Sequence, residues 1–401
     1  MKFKFIKNTV LLFVVVILSC GNRTTTKNET LLHEGANQLE LYLPILKGKN
    51  IGIVANQTTV IFKNKTDSIS EYTHLVDSLL KLDVSIKKVF APEHGYRGIA
   101  DAGEYVKDGV DIKTGLPIVS LYGANRKPDP SVLSDLDLII FDVQDVGARF
   151  YTFVSTLHYM METCAALNIP VLVLDRPNPN GHYIDGPVLD LNYKSFVGMH
   201  PVPVVHGMTV GEYAKMINGE GWLKNSIQCE LKVIPVVNYQ HKKNYTLPIK
   251  PSPNLPNAKA VNLYSSLCFF EGTNVSSGRG TSTQFQVFGS PFLNSEKYNY
   301  EFTPKPNLGT KNPMHNGVKC VGKDLTNSEF LSSINLEWLI DAYNNTADTS
   351  TFFNPFFTKL AGQSKLQQQI ENGWNSNDIR ESWQIELEAF KKIRANYLLY
   401  P

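Results

Sequence analysis

This sequence has little net charge, few cysteines and, after Cys20, no apolar run long enough to span a bilayer. Each shortage excludes something. A net charge of +2 with no basic block argues against nucleic acid as a partner. The five cysteines form no CxxC pair and no Cys/His ligand spacing, so no zinc site is spelled out. Cys164, Cys268 and Cys320 each adjoin an apolar residue and read as buried thiols. Cys229, between Gln228 and Glu230, leaves its pairing open.

Cofactor fingerprints are missing too. The first strand-turn, Ile53-Val54-Ala55-Asn56-Gln57-Thr58, lacks the G-x-G-x-x-G that lets a backbone approach a pyrophosphate. There is no G-x-x-x-x-G-K-[ST] loop, no G-x-S-x-G elbow and no H-E-x-x-H. No cofactor and no metal are expected. Ser78-Leu79-Leu80-Lys81 and Lys113-Thr114-Gly115 match S-x-x-K and K-T-G, but they stand too close together for a penicillin-binding fold.

What is present is a series of short apolar runs, each ending in polar residues. They are Ile51-Gly52-Ile53-Val54, Lys88-Val89-Phe90, Ile118-Val119-Ser120-Leu121, Leu138-Ile139-Ile140-Phe141 and Val171-Leu172-Val173-Leu174. Continuous apolar runs separated by helical stretches read as parallel strands buried on both faces. Ligands of such a sheet bind beyond the carboxyl ends of its strands. The fold class expected is α/β: a Rossmann-like parallel-sheet domain with a smaller mixed α+β C-terminal domain. Helical periodicity marks residues 66–82, 151–167, 328–343 and 378–397. Thr209-Val210-Gly211-Glu212 has capping-box spacing and starts a helix that stops at Gly219; residues 231–237 form a further strand. Four prolines in residues 248–256 make an extended loop, taken as the domain boundary.

Lys2, Lys4 and Lys7 precede a short apolar stretch that ends in Ile17-Leu18-Ser19-Cys20, a pattern similar to a bacterial lipobox. The alternative is a plain secretory signal that happens to end in Cys. Residues 1–20 are then a lipoprotein signal with Cys20 lipidated, 21–35 a polar tether, 36–255 the catalytic domain and 256–401 an auxiliary domain closing the cleft. The mature chain is expected to be an exported lipoprotein. It would sit on the periplasmic side of a bacterial membrane or on the outer membrane, its one membrane contact being the lipid on Cys20.

The polar strand ends supply the chemistry. Glu93 follows a strand end directly, and a carboxyl in a partly dry crevice can serve as a general acid. A loop-bracing glutamate is its bland alternative. Asp142 and Asp145 are further catalytic candidates, although Asp145 could merely cap a helix. Arg149 and Arg176 read as anion binders or carboxylate partners. Asn56, Gln57, Gln144 and Asn178 suit hydroxyl and amide groups. The Gly-, Ser- and Thr-rich loop 271–289 brings Glu271, Asn274 and Arg279. Carboxylates with amides, arginines and tyrosines suit hydrolysis of a polar, partly anionic substrate; glycosides fit, because glycosidases commonly use two carboxyl groups.

Ala91-Pro92-Glu93-His94-Gly95, the stretch from Phe141-Asp142-Val143-Gln144-Asp145 through Arg149-Phe150-Tyr151-Thr152, Asp175-Arg176-Pro177-Asn178 and Phe270-Glu271-Gly272-Thr273-Asn274 with Gly278-Arg279-Gly280-Thr281 resemble the NamZ-type exo-β-N-acetylmuramidases. The resemblance covers nearly all of the chain after the tether. It implies release of N-acetylmuramic acid from the non-reducing end of peptidoglycan fragments, muropeptide or disaccharide. It implies Glu93 as catalytic acid, with Asp142, Asp145 or Glu271 as the second carboxyl, and His94 and Tyr151 among the substrate-binding residues. The lactyl carboxylate of muramic acid wants an arginine, and Arg149, Arg176 and Arg279 are its expected partners. The rival readings are a metal-dependent hydrolase and a non-catalytic lipoprotein that binds cell-wall glycans.

Overall fold

The computed structural model describes residues 31–65, 70–98 and 108–401. Cys20, the signal segment and most of the tether lie outside the described residues. The end of the expected tether does not: the backbone of His33 pairs with Val237, and Gly35 N donates to Asp175 O. The body therefore takes in residues assigned to the tether.

The strands are β1 (Ile51–Ala55), β2 (Val60–Lys65), β3 (Ser70–His74), β4 (Ile86–Ala91), β5 (Gly109–Val110), β6 (Pro117–Ser120), β7 (Leu138–Asp142), β8 (Val171–Leu174) and β9 (Leu231–Ile234). Seven of them form one sheet in the order β5-β6-β4-β1-β7-β8-β9. All neighbours in it are parallel except the β5–β6 pair at the edge. In chain order the parallel strands read 3-2-1-4-5-6, the doubly wound order, reversing between β1 and β7.

The sheet is buried on both faces because alternate residues feed two cores. Ile53, Ala55, Leu138, Ile140, Leu172 and Leu174 point to one core, shared with α1 (Leu39–Leu46) and α2 (Leu75–Leu80). Val54, Ile139, Phe141, Val171 and Val173 point to the other, shared with α3 (Phe153–Leu167) and α4 (Val210–Gly219). The capping box at α4 is present in both directions between Thr209 and Glu212. The second core runs on into residues 256–401. These hold α5 (Ala258–Leu267), an antiparallel sheet of β10 (Val287–Ser290), β11 (Tyr300–Phe302) and β12 (Cys320–Asp324) in the order β10-β12-β11, and five further helices. Those helices are α6 (Glu337–Asn344), α7 (Phe357–Ala361), α8 (Lys365–Glu371), α9 (Ser376–Glu381) and α10 (Gln384–Arg394). Among the described residues no helix is long and apolar enough to cross a membrane.

Three expected helices are shorter than their periodicity. Within 66–82 the described part begins as a strand, because Tyr72 and Thr73 pair with Phe62 and Ile61 across the β2–β3 hairpin. The helix starts only at Leu75, with His74 accepting from Val76 N. In 328–343 the helix waits until Glu337, since Leu331 N and Ile334 N are spent on Asn262 and Asp185 side chains. Residues 378–397 are split at Trp383, whose backbone leaves helical geometry while its indole is buried. The K-T-G match is a surface brace: Lys113 ion-pairs with Asp77, and Thr114 donates to Asp111. Cys164, Cys229, Cys268 and Cys320 are all buried free thiols.

Candidate active site

A cleft of about 640 Å³ opens beyond the carboxyl ends of β4 and β6. Glu93, Tyr122 and Thr152 line it from the sheet side; Tyr264 lines it from α5, and Glu271 and Arg279 from the chain beyond. Strand β4 stops at Ala91, and Gly95 N closes a turn onto Pro92 O at 3.0 Å. His94 and Gly95 both take the left-handed conformation there, with φ of 70° and 76°. For a non-glycine residue that geometry costs about 1–2 kcal/mol, and such strain tends to sit at functional sites. The turn delivers Glu93 to the cleft. Its Oε2 accepts from Thr152 Oγ1 at 2.7 Å, at the N-terminus of α3. The Tyr122 phenol stands beside the Glu93 carboxylate, and burial together with that carboxylate raises the tyrosine pKa. His94 and Tyr151 line a small recess beside Glu93, and Tyr151 donates to Pro251 O at 2.8 Å.

On the facing wall, a 3-10 turn at Cys268–Gly272 carries Glu271. Gly278 and Gly280, with φ of 79° and 80°, hold Arg279 between them. A Cβ on Gly278 would stand 2.6 Å from Val287 Cγ2, so the loop needs glycine there on two counts. Arg279 Nε donates to Glu271 Oε1 at 2.6 Å. Burial opposes the charge on Arg279, but the Glu271 carboxylate outweighs it and raises the guanidinium pKa.

Glu93, His94, Tyr151, Glu271 and Arg279 are therefore brought together, and most of the other expected site residues are not. Asp142 is fully buried and held by Arg176 in a two-point ion pair, with Nε–Oδ1 2.5 Å and Nη2–Oδ2 2.9 Å. Thr59 donates to the Asp142 carbonyl, bridging β1 and β7 where the strand order reverses, and a small recess lined by Thr58, Gln144 and Arg176 lies there. Asp145 is buried and accepts from Gly147 N at 2.6 Å; burial pushes its carboxyl up to about 7. Arg149 donates to four carbonyls, those of Pro187, Val202, Leu360 and Ala361, at 2.7–2.9 Å. It is a loop clamp outside the cleft lining, with its Nε buried and unpartnered, and burial lowers its pKa to about 9. Asn56 caps its own turn through Thr58, and Gln57 donates to Lys250 O and Pro251 O. Gln144 donates to Asp145 O and Pro177 O, and Asn178 to Met208 O. Asn274 supplies its carbonyl to Ser290 and His315, and its side-chain amide atoms are buried without partners outside the cleft lining.

Tyr122, Arg126, Thr152, Ser195, Phe196 and Lys359 line the cleft and were not singled out for the site from sequence. Tyr122 carried a signal, since it follows the apolar run 118–121 directly. Ser195 and Lys359 lie in segments with no motif. Among the described residues no group of three or more His, Cys, Asp or Glu is placed to hold a metal ion.

The sheet order and the cleft define a doubly wound α/β protein with two carboxyl groups on facing walls of one cavity. A family model described as exo-beta-N-acetylmuramidase NamZ, N-terminal, matches residues 51–259, and its C-terminal counterpart matches 262–400. The chain belongs to this NamZ exo-β-N-acetylmuramidase family. The peptidoglycan beta-N-acetylmuramidase NamZ of Bacillus subtilis (strain 168) is 36% identical to it over 382 residues, 90% of this chain and 89% of that protein. A crystal structure of a DUF1343 family protein from Bacteroides fragilis NCTC 9343 matches with a TM-score of 0.83 at 45% identity, over 92% of this chain and 99% of that one. A second DUF1343 protein from the same organism gives 0.77 at 26% identity, with the same shares covered.

Proposed function

We propose that this chain is an exo-acting glycoside hydrolase that releases N-acetylmuramic acid from the non-reducing end of peptidoglycan fragments such as MurNAc-GlcNAc. Family membership supports the reaction, and one observation carries its location: Glu93 and the Glu271–Arg279 pair share a single cleft. Glu93 gives its proton to the bridging oxygen as the C1–O bond breaks. Water adds to C1, and its proton goes to a carboxylate. Glu271, ion-paired with Arg279, is the second carboxyl group, in place of Asp142 and Asp145, which lie outside the cleft lining. General acid catalysis of this kind contributes roughly 10²–10⁴-fold.

The test is product release from MurNAc-GlcNAc by protein lacking residues 1–20, with chitobiose as control, with and without chelator. Muramic acid from the first substrate alone, unaffected by chelator, is the expected result. Turnover that stops with chelator and returns with one cation would replace the reading by a metal-dependent hydrolase. Binding without turnover would replace it by a glycan-binding lipoprotein.

We also propose that the protein is exported and anchored through a lipid on Cys20. The basic start, the short apolar stretch and the Ser19-Cys20 junction support this reading.

A further inference from the structure

Among the described residues that line the cleft, three cationic side chains face two carboxylates. Glu93 and Glu271 line it, and so do Arg126, Arg279 and Lys359. Arg279 is matched by Glu271. Among the described residues, Arg126 and Lys359 have no carboxylate partner. An enzyme acting on a neutral sugar has no use for such an excess, whereas muramic acid differs from glucosamine by one lactyl carboxylate.

Arg126 is the better placed of the two. Its guanidinium carbon stands 4.4 Å from the Phe196 ring centroid and 5.8 Å from that of Tyr122. This aromatic platform is itself fixed. Ser155 Oγ donates to Phe196 O at 2.7 Å, and Tyr159 stacks with the Phe196 ring at 6.3 Å and 10°. The backbones of Ser195 and Gly198 close a tight turn around the ring, with bonds of 2.8 and 3.1 Å. An arginine held on an aromatic surface loses less side-chain freedom when it binds an anion. Tyr122 lines the cleft with both groups at issue: Glu93 acts on its phenol and its ring neighbours Arg126. The guanidinium therefore lies on the same wall as the proposed acid. Beside the platform, Ser195 lines the cleft, and its Oγ is buried with no hydrogen-bond partner. A buried hydroxyl without a partner is costly unless a ligand supplies one. Lys359, on the short helix α7, makes no such ring contact, and an ammonium on a flexible stem lacks the planar fork that matches a carboxylate.

We propose that Arg126 is the specificity-determining residue of this site: it binds the lactyl carboxylate of muramic acid, with the Ser195 hydroxyl as a second donor. The proposal rests on the muramidase reading above. It replaces the expectation that Arg149, Arg176 or Arg279 plays this part: Arg149 and Arg176 lie outside the cleft lining, and Arg279 is ion-paired with Glu271.

The experiment measures kcat and KM for MurNAc-GlcNAc, its lactyl methyl ester and chitobiose. The proteins are wild type, Arg126→Met, Arg126→Lys, Ser195→Ala and Lys359→Met, each with its melting temperature. Losing a hydrogen-bonded charge pair costs roughly 10- to 100-fold in affinity. Arg126→Met is expected to raise KM for MurNAc-GlcNAc by about that factor, more than it lowers kcat, and to abolish the wild-type preference for the acid over its ester. Arg126→Lys should restore part of the preference, and Ser195→Ala should weaken it. An Arg126→Met protein that separates acid from ester as well as wild type does would overturn the proposal, as would loss of selection in Lys359→Met alone. If the wild type releases no muramic acid, the muramidase reading falls and takes this assignment with it; release with selection intact in Arg126→Met removes the assignment alone.

Discussion

Thr152 Oγ1 donates to Glu93 Oε2 at 2.7 Å, tying the turn after β4 to the start of α3. Glu93 leaves the strand through a left-handed turn, and Thr152 fixes which way its carboxyl faces. Glu93→Gln should lower kcat on MurNAc-GlcNAc by roughly 10²–10⁴-fold with an unchanged melting temperature. Full activity in that variant would remove Glu93 from the chemistry. Thr152 acts through Glu93 as a positioning residue. Thr152→Val should lower kcat and move the pH–rate profile, and Thr152→Ser should restore both.

The facing pair gives a separate test. Glu271 is bonded to Arg279, itself held between two left-handed glycines. Glu271→Gln keeps the size and one acceptor but removes the carboxylate. Activity should fall by a factor comparable to that for Glu93→Gln, about 10²–10⁴, while Asp142→Asn should change kcat of the folded protein little. The reverse ranking would return the second carboxyl to Asp142.

The buried Asp142–Arg176 pair should show itself in stability instead. Burial disfavours both charges and raises the Asp142 carboxyl, while the two-point contact with Asp142 holds the Arg176 guanidinium charged. Breaking a buried pair by removing one partner costs about 3–5 kcal/mol. Arg176→Met should show that loss in urea unfolding, and a much smaller loss would place the pair among weak contacts.

Asp145 makes stability depend on pH. Its carboxyl sits near 7 in the folded protein, against 3.8 as the ordinary value, because burial penalises the charge. A group raised on folding binds its proton more tightly in the native state. Its stabilising contribution is complete below the unfolded pKa and is lost as pH rises through about 7. Asp145→Asn keeps an acceptor for Gly147 N and removes the buried charge. It should be more stable than wild type at pH 8, by up to about 4 kcal/mol, with the difference gone near pH 4. Parallel stability–pH curves for the two proteins would count against this.

The proposed anchor is checked by expression in a bacterial host. Full-length chain should take up labelled fatty acid and fractionate with membranes, and Cys20→Ala should do neither. Labelling that persists in Cys20→Ala would place the lipid elsewhere.

The strands of the sheet were legible from sequence because a strand buried on both faces is apolar along nearly its whole length. Ile51–Ala55, Leu138–Asp142 and Val171–Leu174 are such strands. The capping box at Thr209 and Glu212 was legible because its partners stand three residues apart. Glu93 was legible as a carboxylate at a strand end, and Glu271 and Arg279 as charges on a glycine-rich loop. Composition could not say which polar strand end faces solvent and which faces protein. Asp142 and Arg176 are 34 residues apart, and only the packed sheet turns them into a pair that satisfies itself. Arg149 looks like an anion binder in sequence, yet its carbonyl partners at Leu360 and Ala361 come from more than 200 residues away. Arg126 carried no motif at all. Its place over Phe196 arises because the loops after β6 and before α4 meet at the rim of the cleft, and long-range contacts of that kind leave no local trace. The chain determined by itself what had to be buried; the tertiary structure decided which buried or half-buried charges were neutralised by protein and which were left for a substrate.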